Sequence, residues 1–126
     1  MSEVGLSKIS NIILTVTNLV KALAFYRDLL GMKVNSTIPG EFAFLDAGGV
    51  VLALREGNDK PNPGLTELVF EVKDVKATYE ELKSKGVVFP YPPRAVTGNE
   101  TSDLYATDFR DPDGHMLSIT SWIPKM

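Results

Sequence analysis

An internal repeat constrains the fold of this chain more strongly than any other feature of its sequence. Residues 11–34 match residues 67–89 at an offset of 56 positions, through a strand-like run, a polar residue and a helix-like run. Four pairs of similar residues define the match: Leu14 with Phe70, Val16 with Val72, Asn18 with Asp74, and Leu19 with Val75. One residue fewer in the second copy then brings Gly86 opposite Gly31. Such a chain is expected to fold as two similar modules.

Each copy contains the start and stop signals of one helix. Asn18 and Asp74 are good N-cap residues, because their side-chain oxygens accept a hydrogen bond from a backbone N–H that lacks a helical partner. Gly31 and Gly86 suit the position after a helix, where the backbone turns left-handed. Apolar residues recur between these signals at helical spacing: Leu19, Leu23, Tyr26 and Leu30 in the first copy, and Val75, Tyr79 and Leu82 in the second.

Three shorter extended runs follow each predicted helix. They span 32–36, 41–47 and 50–56 in the first copy, and 87–89, 103–110 and 115–122 in the second, where the Pro-rich stretch 90–102 is predicted to be a loop. The predicted fold class is α+β, with two βαβββ modules at about 8–56 and 66–122, a linker at 57–65, and a single domain over 1–126. The alternative is a generic α+β sandwich in which the repeat arose by chance.

Composition narrows the class of protein. The chain has 126 residues, of which 44% are hydrophobic and 23% charged, with a net charge of −3, as in an ordinary globular protein. A nucleic-acid partner is not expected, because no basic cluster is present. The absence of Cys excludes disulfides, thiolate metal ligands and cysteine nucleophiles. The N-terminal residues do not resemble a secretory signal and no apolar run is long enough to span a membrane, so we expect a soluble, cytoplasmic protein with no membrane partner.

Side chains alternate along a strand, so each predicted strand has two distinct faces. The residues expected to pack on the helices are apolar: Ile12, Leu14, Val16, Leu52, Leu54, Leu68, Phe70, Val72, Leu117 and Ile119. The residues on the opposite face are mixed: Asn11, Ile13, Thr15, Val51, Ala53, Arg55, Glu67, Val69, Glu71, Met116, Ser118 and Thr120. A mixed face suits either a ligand cleft or a partly solvated sheet.

The segments "SNIILTVTNLVKALAFYRDLLGMKV", "TELVFEVKDVKATYEELKSKGV" and "ATDFRDPDGHMLSI" resemble the vicinal oxygen chelate superfamily. This superfamily includes glyoxalases, bleomycin- and fosfomycin-resistance proteins and extradiol dioxygenases. The resemblance runs from about residue 9 to residue 122, and "AFYRDLLGM" and "FRDPDGH" are its most specific parts. It implies two βαβββ modules that form a curved mixed sheet around a central cup, and a homodimer.

The resemblance also implies where a metal would be held in metal-dependent relatives. Carried over position by position, the four ligand positions fall on Asn11, Ala53, Glu67 and Ser118. Of these, Glu67 alone is a good ligand, because Ala53 has no donor atom, a protonated hydroxyl is a poor donor and a neutral amide is weak. A register error of two residues would bring in Arg55 or Glu71, and neither completes a set. We therefore expect no metal and no other cofactor, with a divalent metal as the alternative.

These considerations favour a metal-free small-molecule-binding protein of the glyoxalase/bleomycin-resistance type. The residues predicted to contact the ligand are Asn11, Ile13, Ala53, Arg55, Glu67, Val69 and Ser118. The alternatives are a metal-dependent enzyme with lyase, isomerase, dioxygenase or thiol-transferase activity, and a metal-free enzyme with Glu67 as catalytic base. Burial of Glu67 would raise its pKa and favour a base, whereas exposure would leave an ordinary solvated carboxylate.

Further residues carry weaker expectations. His115, the only histidine, is expected at the start of the last strand, on its helix-packing or rim side. Arg55 and Glu71 form either ligand contacts or a surface ion pair. The aromatic residues outnumber what two small helices need for packing, so some of them could line a flat apolar pocket: Phe42, Phe44, Tyr91, Tyr105, Phe109 and Trp122.

Overall fold

The structure is a computed structural model that describes residues 5–57 and 66–126. Apart from Gly57, the predicted linker at 57–65 lies outside the described residues. The chain divides into two compact units, Met1–Pro61 and Asn62–Met126, which we call the first and second unit. Each unit builds its own four-stranded mixed sheet.

The first unit has the order β1, helix, β2, β3, β4. Its elements are β1 Asn11–Val16, α1 Leu19–Leu23 continued by a π-helical segment Ala24–Leu29, β2 Val34–Ile38, β3 Phe42–Asp46 and β4 Val51–Glu56. The sheet order is β1-β4-β3-β2. β1 and β4 pair in parallel, and the other neighbours pair antiparallel.

The second unit repeats this arrangement. Its elements are β5 Glu67–Glu71, α2 Val75–Ser84, β6 Arg94–Gly98, β7 Ser102–Arg110 and β8 Met116–Pro124. The sheet order is β5-β8-β7-β6, with β5 and β8 parallel. The predicted α+β class and the two βαβββ repeats are therefore confirmed. No helix in the described ranges has the length and apolar character needed to cross a membrane.

Both predicted helix starts are confirmed. Asn18 Oδ1 accepts a hydrogen bond from the backbone N–H of Lys21 at 2.9 Å. Asp74 Oδ1 accepts from the backbone N–H groups of Lys76 and Ala77 at 3.0 and 3.1 Å. The two cap residues have nearly the same extended backbone, with φ of −144° and −141°. The repeat seen in the sequence is thus a repeat of capping geometry.

The predicted helix ends are also confirmed, and they explain the one-residue difference between the copies. Gly31 and Gly86 have φ of 76° and 97°, in the left-handed region that glycine tolerates best. The first unit has one residue more between its cap and its terminal glycine. Its helix absorbs that residue by π winding, since the N–H of Leu30 donates to the carbonyl of Phe25, five positions earlier, at 3.0 Å.

A second anchor at each helix start was missed by the sequence analysis. The first helical N–H of α1, that of Leu19, donates to Glu56 Oε2 at 2.7 Å. In the second unit, the N–H of Val75 donates to Ser121 Oγ at 3.0 Å. Both acceptors occupy the same position in the repeat. This position is on the last strand of the unit, where that strand lies beside the start of the helix. Each unit therefore ties the start of its helix to its own last strand.

The predicted helix-packing residues largely form the core. Val75, Tyr79 and Leu82 of α2 are buried, as are Leu19 and Tyr26 in the first unit, while Leu23 and Leu30 are half-buried. The strand residues that pack are buried as predicted at Leu14, Val16, Leu52, Leu54, Leu117 and Ile119. Leu68, Phe70 and Val72 are half-buried. Ile12 was predicted to pack but is 36% exposed, because it lies at the open end of β1.

The first of the three strands after the helix of the second unit lies in a different place from the prediction. Residues 87–89 form no strand, because the N–H of Val87 donates to the carbonyl of Leu82 and closes the helix. Phe89 packs instead against Tyr79 and Phe109, with ring centroids 4.8 and 5.2 Å apart. The strand β6 forms within the predicted loop 90–102 and pairs antiparallel with β7. Its residues are all exposed, so it lacks the apolar alternation that marks a buried strand.

Replacing Ser121 with alanine is expected to destabilise the second unit, since the buried N–H of Val75 would lose its acceptor. The expected loss is about 1–2 kcal/mol in the free energy of unfolding. Urea denaturation followed by circular dichroism would measure it. The exposed Ser7→Ala is a matched control and should change stability little. Equal stability of the two variants would contradict the anchoring role.

Candidate functional site

In each unit, one face of the sheet points away from that unit's own helix, and we call it the far face. On the far face of the first unit, the strand register places side chains in three rows across the sheet. The rows are Thr15–Arg55–Phe42–Ile38, Ile13–Ala53–Phe44–Ser36 and Asn11–Val51–Asp46. The strand parity predicted from the sequence is therefore correct for Asn11, Ile13, Ala53 and Arg55.

The far face of the first unit combines an aromatic surface with a cation. The rings of Phe42 and Phe44 are stacked, with centroids 5.4 Å apart and planes within 10° of each other. Ala53 is 1% exposed and lies between its cross-strand neighbours Phe44 and Ile13, and Ile13 is 50% exposed. The exposed Arg55 donates from Nη2 to Thr15 Oγ1 at 3.0 Å. The middle of this face is thus largely apolar, with a guanidinium at one end and the exposed polar side chains of Asn11 and Asp46 at the other.

The far face of the second unit is more polar. Its rows are Glu67–Met116–Arg110, Val69–Ser118–Asp108 and Glu71–Thr120–Ala106–Arg94. Ser118 is 3% exposed, whereas its neighbour Val69 is 59% exposed. Asp108 is half-buried on the other side of Ser118. A hydroxyl and a carboxylate are therefore neighbours at the centre of this face.

Asp108 also holds Tyr91, which precedes β6. The phenol O–H of Tyr91 donates to Asp108 Oδ2, and Thr107 Oγ1 donates to the Tyr91 carbonyl at 2.7 Å. The Arg94 guanidinium lies over the Tyr91 ring, 4.2 Å from its centroid. The hydrogen bond to Asp108 raises the pKa of Tyr91 above its ordinary value, and desolvation adds to that rise. Tyr91 is fixed from both ends, so it extends the polar surface rigidly.

Equivalent positions of the two far faces carry different chemistry. Ala53 corresponds to Ser118, because each is the third residue of the last strand and lies opposite an apolar residue of the parallel neighbour. In the same comparison Phe44 corresponds to Asp108. The central row is therefore apolar and aromatic in the first unit and hydrogen-bonding in the second. One backbone frame presents two kinds of surface.

Within each unit, the structure places some of the predicted site residues next to each other. Ile13 adjoins Ala53, and Val69 adjoins Ser118. Asn11 is exposed and pairs with Val51, and its Nδ2 donates to Ser10 Oγ at 3.1 Å. The whole set of seven predicted ligand contacts stays a prediction.

Glu67 is exposed at the first residue of β5 and pairs with Met116. The burial that would have favoured a catalytic base is therefore absent at this residue. Arg55 lies in the first unit and Glu71 in the second, and the surface ion pair considered from the sequence stays a prediction.

The donor chemistry at the four metal-equivalent positions does not fit a first-row metal. The first unit offers the amide of Asn11 and the methyl group of Ala53, and the second offers the carboxylate of Glu67 and the hydroxyl of Ser118. Such metals are held in proteins by several imidazole, carboxylate or thiolate donors. Within residues 5–57 and 66–126, no group of three or more His, Asp or Glu side chains is arranged to hold an ion.

Asp108 was missed by the sequence analysis, although a signal for it existed. The "DPDG" turn sets the register of β7 against β8, because Asp111 Oδ1 accepts from the N–H groups of Asp113 and His115 at 2.9 and 2.8 Å. That register places Asp108 opposite Ser118. His115 itself is buried next to the turn, just before β8, which agrees with the expected start of the last strand.

A duplicated βαβββ unit with parallel outer and last strands is the fold expected of the vicinal oxygen chelate superfamily. The chain matches the family model described as the Glyoxalase/Bleomycin resistance protein/Dioxygenase superfamily over residues 8–119. The chain belongs to this superfamily, as the sequence motifs predicted.

Similar proteins support this assignment. The chain is 30% identical over 120 residues to the metallothiol transferase FosB of Staphylococcus epidermidis, covering 88% of this chain and 81% of that protein. It is 32% identical over 79 residues to an uncharacterized protein of Mycolicibacterium smegmatis, covering 63% and 67% of the two chains. The structure of a glyoxalase/bleomycin resistance protein/dioxygenase from Nocardioides superposes with a TM-score of 0.78 at 24% identity, over 96% of this chain and 87% of that one. The last likeness concerns the fold alone.

The Tyr91–Asp108 hydrogen bond should make the stability of the protein depend on pH. The pKa of Tyr91 is raised in the folded state, so the bond contributes its full stabilisation of the fold below the unfolded tyrosine pKa of about 10. This stabilisation is lost as the pH rises through the pKa of Tyr91 in the folded state. Tyr91→Phe should therefore lower the free energy of unfolding by about 1 kcal/mol near pH 7, and the difference should shrink above pH of about 10.

Urea denaturation of both proteins across this pH range would measure the difference. Tyr105→Phe is the matched control, since the Tyr105 ring contacts Lys76 through its face and not through its hydroxyl. A constant difference between wild type and Tyr91→Phe at all pH values would contradict the assignment of the effect to the phenol proton.

Proposed function

We propose that this chain binds a small, partly aromatic organic molecule through its far faces without using a metal ion. The observation that carries the proposal is the chemistry of the four metal-equivalent positions, which hold an amide, a methyl group, a carboxylate and a hydroxyl. Proteins of this superfamily that act through a metal need several strong donors there. A chain with one carboxylate among the four positions has the fold of these proteins but lacks the donors for a metal that acts as a Lewis acid.

The surfaces that remain are those of a binding protein. Stacked Phe42 and Phe44 offer an apolar surface to a planar ligand, and Ile13 and Val69 add exposed apolar area. Arg55 and the Tyr91–Asp108 pair offer fixed polar groups. A few oriented polar groups beside apolar surface are typical of small-molecule sites. Ala53 shapes the far face of the first unit from below, and Ser118 that of the second, since both are nearly fully buried.

A second candidate function is metal-dependent thiol transfer, and the observation in its favour is the 30% identity to FosB, which is named a metallothiol transferase. This function would require a metal held by residues other than the four equivalent positions. The donor chemistry makes it the weaker of the two. A homodimer in the cytoplasm completes the proposal, because members of the superfamily are expected to pair and a chain without Cys suits a reducing compartment.

The two candidates give opposite results in a thermal-shift screen with and without a chelator. We expect aromatic ligands to raise the melting temperature equally in both conditions. A ligand present at about 100 times its Kd adds about 2.7 kcal/mol to the free energy of unfolding, which is readily detected. Added zinc, nickel, manganese or iron should not raise the melting temperature.

Elemental analysis of protein purified without chelator provides the control. The metal content should be far below one ion per chain. Stoichiometric metal, together with ligand binding that chelator abolishes, would overturn the proposal and favour the thiol-transferase candidate.

A further inference from the structure

We propose that the far face of the first unit selects planar molecules that carry an anionic group, with Arg55 binding the anion and the Phe42–Phe44 pair binding the planar body. The inference rests on the proposed function, because it names the class of ligand that the same face would take. It depends on three observations about this face: the state of Arg55, its position relative to the rings, and the distribution of charge.

Arg55 is a guanidinium that a hydrogen bond orients and that no ion pair neutralises within residues 5–57 and 66–126. One of its nitrogens donates to Thr15 Oγ1 at 3.0 Å, which fixes the side chain against β1. Arg55 is exposed, and the ion pairs found in the described part of the chain do not involve it. The guanidinium therefore keeps donors for a ligand. Its planar fork matches carboxylate and phosphate oxygens, and a bond to such an anion is stronger than one to a neutral acceptor.

The aromatic pair lies on β3, the strand that neighbours Arg55 on the side away from Thr15. Phe42 is the cross-strand partner of Arg55, and Phe44 is two residues further along β3. The two rings are half-buried and stacked, with centroids 5.4 Å apart and planes within 10° of parallel. Two residues along a strand span about 7 Å, so the pair forms an apolar strip of about that length, against which a flat aromatic body can pack. A ligand that packs on this strip and extends across β4 would place an acidic substituent at Arg55.

The other charged residue of this face favours the same orientation of the ligand. Asp46 is its acidic residue, and it lies in the third row, opposite Val51, where its Oδ1 accepts from the N–H of Gly48 at 3.0 Å. Asp46 and Arg55 are thus separated by about four residues of strand length, which is about 13 Å. An anion at Arg55 avoids Asp46, whereas an ammonium group placed there would be repelled by the guanidinium.

The equivalent positions of the second unit do not favour an anion. Thr120 stands where the first unit has Arg55, and Glu71 stands where it has Thr15. Asp108 takes the place of Phe44. An anionic aromatic ligand is therefore expected to distinguish the first far face from the second. Because the two far faces differ, substitutions can show which of them binds the ligand.

The test compares matched ligands that differ only in charge. Isothermal titration would use 2-naphthoate, 2-naphthamide and 2-naphthylmethylammonium with the full chain. Binding of naphthoate is expected to be the tightest of the three. Arg55→Gln should weaken naphthoate binding about ten-fold or more and remove its advantage over the amide. Phe44→Leu should weaken all three ligands, because it removes part of the aromatic surface.

Arg27→Gln is the matched control, since Arg27 is an exposed arginine of the helix that pairs with Asp28 and lies on another surface. Arg55→Lys keeps the charge without the planar fork and should bind naphthoate with intermediate affinity. Unfolding curves would verify that each variant is folded.

Each further outcome decides the matter. Equal or tighter binding of the amide or the ammonium compound, or an unchanged naphthoate affinity in Arg55→Gln, would overturn this inference and leave the proposed function standing. If none of the three compounds bound at millimolar concentration while the chain remained folded, this inference would be overturned. The proposed function would then be decided separately, by the chelator screen.

Discussion

The structure depends on the parallel pairing of the first and last strands within each unit. Parallel neighbours cannot be joined by a tight turn, so the chain must leave the sheet and return over a longer path. In both units that path begins with a helix, which covers one face of the sheet and buries Leu14 or Ile119 against it. The opposite face is left without a helix of the same unit. The existence of a far face in each unit follows from this pairing.

The pairing also fixes which side chains share the far face. Because the side-chain period of a strand is two residues, the register that places Ile13 beside Ala53 also places Thr15 beside Arg55. The second unit uses the equivalent register with Val69 and Ser118. The backbone therefore conserves positions, and the side chains set the chemistry. Aromatic rings occupy one far face and a Tyr–Asp pair the other, as expected for a frame whose halves have diverged.

Features that depend on neighbouring residues in the chain were predictable from the sequence. Local backbone chemistry explains the helix caps at Asn18 and Asp74 and the left-handed conformation of Gly31 and Gly86. The two faces of each strand follow from the alternation of neighbouring side chains. The place of β6 was not predictable from its pattern, because an edge strand with no buried face has no apolar alternation.

Contacts between distant residues were the least accessible to sequence analysis. The anchoring of α2 by Ser121 and the capture of Tyr91 by Asp108 depend on side chains that meet only after the strands have paired. The family resemblance located the metal-equivalent positions, but the aromatic pair on β3 became visible only when the register placed Phe42 opposite Arg55. Most of the fold was thus predictable, and only part of the candidate site.

The π-helical segment Ala24–Leu29 has a consequence for how such a chain tolerates insertions and deletions. One additional residue is taken up as wider winding of a single turn, so β2 begins without any displacement of the strands that follow. The same addition inside β1 or β4 would exchange the two faces of the strand from that point onward. In this chain the additional residue lies in the helix, and the two units keep equivalent strand registers and equivalent far faces.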